Sequence, residues 1–253
     1  LYSPLAVGLI DTVGWQSTLL IFAATLLLVL PLSLVVSTPP AVRVAGAPVQ
    51  QSLKEALVEA LSSRSYVLLV LGFFTCGFQL QFITVHMPAY LVDRGLTAEV
   101  GGWTIGVIGL FNIIGSLSSG WLASRMPKRY LLSIIYFGRA VAVFAFISFP
   151  VTATTCLLFG ASIGLLWLST VPPTNGIVAV IFGTRWLGTL TGFAFFSHQV
   201  GSFLGVWLGG VVYERTGAYD AVWWLAILFG VLSAAISLPI VEKPVRRLAP
   251  ATA

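Results

Sequence analysis

Apolar residues gather in seven long stretches, roughly 17–36, 66–91, 100–124, 130–149, 155–182, 186–213 and 220–241, with polar connections between them. About 20 residues of helix cross a bilayer core. Hydrocarbon offers backbone groups no water, so these stretches predict membrane-spanning helices. None alternates apolar and polar positions in the segments of about ten residues that a transmembrane barrel needs. Residues 1–10 read as the tail of an eighth helix, too short to span by itself. The chain opens on Leu1 without a positively charged n-region, so no signal peptide is expected, and it reads as part of a longer protein.

Charge orders the connections. Segments 37–65, 125–129 and 183–185, with the tail from 242, fall on one side. They hold Arg43, Lys54, Arg64, Arg125, Lys128, Arg129, Arg185, Lys243, Arg246 and Arg247. The other side has only Arg94 and Arg215, beside Asp11, Asp93, Glu99, Glu214 and Asp220. Basic residues favour the cytoplasmic side, which predicts a cytoplasmic C-terminus in the plasma or inner membrane.

The connection at 37–65 opens on a Pro/Ala/Gly linker. Within "SLKEALVEALSS", Ser52 and Glu55 have capping-box spacing. Leu53, Leu57, Ala60 and Leu61 form an apolar stripe, so a short amphipathic helix is expected there.

Composition agrees with membrane residence. Only 8% of residues are charged and 58% are apolar, with a mean hydropathy of +0.99, against about 25% charged in soluble domains. The net charge of +5 is scattered between apolar runs and makes a poor phosphate-tracking face, so nucleic acid is excluded as a partner. Cys76 and Cys156 lie inside apolar runs without metal-ligand spacing and read as buried spectators, so neither a metal nor a cofactor is expected. No H-E-x-x-H, G-x-S-x-G or P-loop pattern occurs, and no pair of mid-span carboxylates, so the chain does not read as an enzyme.

Polar groups inside the spans are the remaining candidates for chemistry. Gln79, His86 and Tyr90 are spaced seven and four apart and share a helical face. Such groups either face a cavity or act as glue between helices. Thr191, His198 and Ser202 repeat that spacing, and Gly201, Gly205 and Gly209 form a ridge for close helix packing. Asn112 sits mid-span and has the same two readings. Arg139 lies about 15 Å inside its span, at 1.5 Å per residue. Its partner is a backbone carbonyl, an acid outside this sequence or an anionic solute; the other option is snorkelling to the interface. Pro172 and Pro173, within Leu168–Gly176, interrupt a span as a kink or as part of a solute site.

The pattern resembles the C-terminal half of the major facilitator superfamily. "GWLASRMPKRYLL" is similar to that superfamily's Gly-x-x-x-Asp-Arg-x-Gly-Arg-Arg loop, with Gly120, Arg125, Lys128 and Arg129 at matching positions. Ser124 stands where the acid would be, and Pro127 replaces the second glycine. "GWQSTLL" resembles the Gly-Trp-Arg between helices five and six, with Gln16 for Arg. The stretch from Gly183 to Asp220 resembles helix eleven of bacterial relatives of the monocarboxylate and oxalate/formate carriers.

The resemblance implies an all-α membrane protein: a six-helix bundle of inverted 3+3 repeats at 66–241, preceded by one complete and one partial helix at 1–36. Residues 37–65 would be the inter-bundle loop and 242–253 the cytoplasmic tail. It further implies a secondary transporter that moves a small organic solute, such as a monocarboxylate, by alternating access, coupled to a proton or a counter-substrate. Lipid and the N-terminal half of the same chain would be its partners. Gln79, His86, Asn112 and His198 would border the solute cavity, whereas Arg139 sits on an outer helix. Gly120, Arg125, Lys128 and Arg129 would latch the two bundles. A non-transporting membrane sensor or accessory subunit on the same fold is the alternative.

Overall fold

The computed structural model describes residues 2–27, 31 and 51–245. The second half of the first expected span (Pro31 apart), most of the linker and the tail from 246 lie outside them. Nine α-helices and no strand occur among the described residues. They are α1 (Tyr2–Leu26), α2 (Leu53–Ser62), α3 (Arg64–Asp93), α4 (Ala98–Ala123), α5 (Lys128–Ser148), α6 (Ala153–Leu166), α7 (Val171–Phe182), α8 (Leu187–Thr216) and α9 (Asp220–Ser237).

Among the described residues, seven stretches are long and apolar enough to cross a membrane, with α6 and α7 forming one of them together. The first combines what the sequence divides into the end of one helix and the start of the next. Its division is visible at Gly14, whose backbone leaves the helix at φ 78° and ψ 162°. Only glycine takes such a conformation without strain, and it falls on the Gly-Trp pair that marks the expected junction.

Helix α2 forms where its capping box predicts. Ser52 Oγ accepts from Glu55 N at 3.3 Å, and Glu55 Oε2 accepts from Ser52 N at 2.7 Å. Its packing face keeps Leu57 and Ala60 of the expected stripe and turns the other two residues outward. Ala56 and Ala60 are buried, whereas Leu53 and Leu61 are exposed. Small side chains let α2 lie close on α3, and that approach decides the face.

The six spans from α3 to α9 pack as a bundle with three dominant pairings: α3 with α8, α4 with α6, and α5 with α9. Exchanging the first three spans for the second three maps these pairings onto one another, as an inverted repeat requires. Glycines bring α3 and α8 close. A Cβ on Gly77 would stand 1.9 Å from the His198 carbonyl oxygen, and one on Gly201 would stand 2.1 Å from that of Phe74. Gly205 lies against the Phe78 carbonyl in the same way, and Gly209 against the His86 ring.

The turns between α4 and α5 and between α7 and α8 lie at one end of the bundle, with the start of α3 and the segment after α9. There Val241 N donates to Ser65 Oγ, Val245 N to Ile181 O, and Arg129 Nη1 to Ile240 O. Arg64, Arg125, Lys128, Arg129, Arg185 and Lys243 therefore share an end. At the opposite end Arg94 faces Asp220 at 3.9 Å, with both side chains exposed.

Candidate functional site

Two large apolar clusters fill the bundle, one near each end, beside a small one of Ala123, Leu131 and Ile135. The basic-end cluster includes Tyr66, Phe73, Leu132, Ile181 and Phe182; the other includes Phe82, Met87, Phe146, Phe159 and Trp223. Buried polar side chains lie between them near mid-depth: Thr75, Gln79, Arg139, Thr170, His198, Ser202 and Ser233. Of these, Arg139 and Thr170 meet at the break between α6 and α7.

The break spans residues 167–170, just ahead of the two prolines. Pro172 and Pro173 occupy the first turn of α7, where a missing N–H costs nothing. The helix is thus interrupted upstream of the residues that signal the interruption. Backbone groups released there must find partners inside an apolar bundle; two neighbouring spans supply them, and a third meets a side chain of the break. From α5, Arg139 donates to Leu166 O through Nε at 2.9 Å and Nη2 at 2.6 Å, and Nη2 also reaches Trp167 O. From α4, Asn112 Oδ1 accepts from Leu168 N at 3.0 Å, and Ser119 Oγ donates to Ser169 O. From α3, Cys76 Sγ meets Thr170 Oγ1 at 3.4 Å.

Arg139 has no exposed surface. Its charge sits at the C-terminal end of α6, where the helix dipole favours a cation. Of the partners open to it from sequence, the backbone carbonyls are the ones it holds, and it does not snorkel. Its Nη1 has no hydrogen-bond partner among the described residues.

The other residues singled out from sequence do not converge on one pocket. Gln79 is fully buried between α3 and α9, where Nε2 donates to Ala226 O at 2.8 Å. His86 lies nearer the far end, half-buried, with Nε2 donating to Val206 O at 2.9 Å and its ring beside Phe82 and Tyr219. His198 is buried with its ring beside Phe73 and Phe195. Its Nδ1 faces Gln199 Oε1 at 3.1 Å, an acceptor, which puts the hydrogen on Nδ1. Its Nε2 has no hydrogen-bond partner among the described residues. Cys76 and Arg139 are its titratable neighbours. Asn112, Arg139 and His198 therefore belong to the belt around the break, while Gln79 and His86 hold helix pairs together.

Sequence reasoning missed several participants. Cys76, read as a spectator, touches the break; Ser119 and Thr170 drew no attention because single hydroxyls are common in spans. Ser233 Oγ donates to Thr75 Oγ1 at 2.7 Å across α9 and α3. No signal along the chain links these pairs.

The turn holding Arg125, Lys128 and Arg129 has its own carboxylate. Glu242, after α9, accepts from Arg129 N at 2.7 Å and faces Lys128 Nζ at 3.7 Å. It supplies the negative partner that Ser124 does not. Gly120 approaches Pro172 of α7, and the Lys128 stem crosses Gly176 of that helix. These contacts are all within the bundle.

Comparison with known proteins agrees with this architecture. Residues 1–206 match the family model of the Major Facilitator Superfamily. An uncharacterized MFS-type transporter of Bacillus subtilis, YcxA, is 30% identical over 252 residues, covering 96% of this chain and 61% of the relative. Monocarboxylate transporter 13 of Rattus norvegicus is 25% identical over 87% of this chain and 51% of its own. Monocarboxylate transporter 12 of Mus musculus is 25% identical over 56% of this chain and 30% of its own. The chain spans about 61%, 51% and 30% of these relatives' own lengths, respectively. With its all-helical bundle and seven apolar spans, the chain is an integral membrane protein of the major facilitator superfamily.

Proposed function

We propose that the chain is the C-terminal portion of a secondary transporter that moves a small organic anion, a monocarboxylate being the favoured class, by alternating access. The observation behind this reading is the broken span α6/α7, held by side chains from α3, α4 and α5. Transporter solute sites are built at discontinuous helices near the bilayer midplane. Arg139 Nη1 and His198 Nε2 are buried polar atoms without partners in that belt, and an intramembrane cation suits an anionic solute. The names of the monocarboxylate transporters among its relatives support the same class.

In this reading residues 1–36 close a first bundle, 37–65 join it to the second at 66–241, and 242–253 form the tail. The basic end is cytoplasmic, by the distribution of Lys and Arg, in the plasma or inner membrane. The latch role of Gly120, Arg125, Lys128 and Arg129 rests on Glu242 holding their turn in place. A proton is the coupling ion best served by these residues, since His198 Nε2 is a buried ring nitrogen with no hydrogen-bond partner among the described residues.

The test is uptake of a radiolabelled short monocarboxylate by the full-length protein in proteoliposomes. Saturable accumulation above protein-free vesicles is expected, faster with an inward proton gradient. Uptake no greater than in empty vesicles across a panel of monocarboxylates overturns the reading.

A further inference from the structure

We propose that the basic cavity at the α4–α5 turn binds the headgroup of an anionic phospholipid whose acyl chains lie along α5 and α9. The cavity has a volume of about 530 Å³, and its polar lining is Ser124, Arg125, Lys128, Arg129, Glu242 and Lys243. Four cations thus face one carboxylate, and both oxygens of that carboxylate are engaged by Arg129 N and Lys128 Nζ. Arg125 and Lys243 are exposed and make no ion pair among the described residues. The Arg125 guanidinium is held over the Trp121 ring at 3.8 Å, which fixes its charge at the rim. The site therefore keeps positive charge for a ligand bearing a phosphate, and its volume exceeds that of a bare phosphate ion.

What lies beside the cavity selects the source of that phosphate. Tyr130, Ile134, Phe137, Val141 and Phe144 are all exposed and recur at steps of four and three, an apolar stripe along α5 that starts beside Arg129. Trp224, Leu228 and Val231 on α9, with Leu238 just after it, form a parallel exposed row. Phe144 and Trp224 join the two rows at 6.0 Å between ring centroids. The α5 stripe is about 21 Å long, more than the roughly 15 Å half-thickness of the hydrocarbon core. Exposed Trp121 and Tyr130 flank the cavity, as aromatic side chains do at the level of headgroups. Basic pockets at helix ends recognise anionic headgroups in this way. A free anion would use the cavity and leave the apolar lane unused.

Native mass spectrometry of the full-length protein released from nanodiscs of equal phosphatidylglycerol and phosphatidylcholine reads the preference directly. Wild type is expected to retain phosphatidylglycerol in excess over phosphatidylcholine. Arg125→Gln with Lys243→Gln lowers that excess roughly tenfold. Arg94→Gln with Arg215→Gln removes two charges from the opposite end and leaves it unchanged. Equal retention of the two lipids by wild type overturns the proposal, as does an unchanged excess in the Arg125/Lys243 variant. Inorganic phosphate at millimolar concentration displacing the lipid also overturns it, because the site would then take a free anion. So does a two-chain species lost in the Arg125/Lys243 variant, because the lane would then be an interface between copies.

Discussion

Two nitrogens of Arg139 converge on the carbonyl oxygen of Leu166, Nε at 2.9 Å and Nη2 at 2.6 Å. A side chain of α5 thus closes the end of α6 in a place no water reaches. Arg139→Met keeps the stem and removes every donor, which leaves the Leu166 and Trp167 carbonyls bare. The expected loss is roughly 2–5 kcal/mol, read as a lower thermal midpoint in detergent. Arg139→Lys keeps the cation at the helix end and recovers part of it. An unchanged midpoint with abolished uptake would make Arg139 a solute ligand instead of a clamp.

The membrane helices and the capping box of α2 were legible because each depends on residues close in sequence. The interruption of 155–182 was legible too, but its position was not. Prolines fit the first turn of the helix that follows, so the break falls upstream of them. Arg139 was recognisable as anomalous, while its partners were hidden because backbone carbonyls leave no mark in a sequence. Glu242 was invisible as a partner for a different reason: 113 residues separate it from Arg129, and only the return of α9 to the basic end brings them together. The α2 stripe was legible in part: Ala60 and Leu57 pack as it predicts, while close packing on α3 adds Ala56 and leaves Leu53 and Leu61 exposed.

Close approach of α3 and α8 depends on residues without a Cβ. Gly77→Ala would put a methyl group within 1.9 Å of the His198 carbonyl oxygen, and Gly201→Ala one within 2.1 Å of the Phe74 carbonyl oxygen. Backbone cannot yield as a flexible side chain can, so each substitution costs about 1–3 kcal/mol. Gly210→Ala, on the same helix with open space around it, should leave the thermal midpoint within error. Equal midpoints for all three variants would refute the close packing.

Glu242 gathers two contacts at the basic end, one with a backbone N–H and one with an ammonium. Glu242→Ala leaves Arg129 N unpartnered and Lys128 unpaired, for an expected loss of about 1–3 kcal/mol. Glu242→Gln keeps an acceptor for Arg129 N and loses only the ion pair, so its midpoint should fall between those of wild type and the alanine variant. A glutamine midpoint as low as the alanine one would show that charge, and not the hydrogen bond, dominates this turn.

The α2 cap responds to pH. Hydrogen bonds from the Ser52 backbone and side chain hold the Glu55 carboxyl below its ordinary value. A group depressed in the folded state adds stability above its unfolded value and loses it as pH falls through the folded one. The protection factors of the Glu55 and Ala56 amides, measured against intrinsic exchange at each pH, should therefore stay high at neutral pH and fall below the usual carboxylate range. Glu55→Gln can keep the hydrogen bond to Ser52 N and should flatten that dependence. Protection that falls equally in the variant would place the pH effect elsewhere.

The two histidines divide a question that sequence leaves open. His86 Nε2 donates to the Val206 carbonyl and its ring lies against Gly209, so its hydrogen is committed to holding α3 on α8. His198 Nε2 has no hydrogen-bond partner among the described residues and lies in the belt around the broken span. Cys76 and Arg139 are its titratable neighbours. If the full-length protein couples uptake to protons, His198→Gln should abolish the stimulation by an inward proton gradient and leave counterflow exchange intact. His86→Gln should lower the thermal midpoint by roughly 1 kcal/mol equivalent and keep the gradient dependence. Gradient dependence that survives in His198→Gln and disappears in His86→Gln would reverse the assignment, and survival in both would place the proton site outside this portion of the chain.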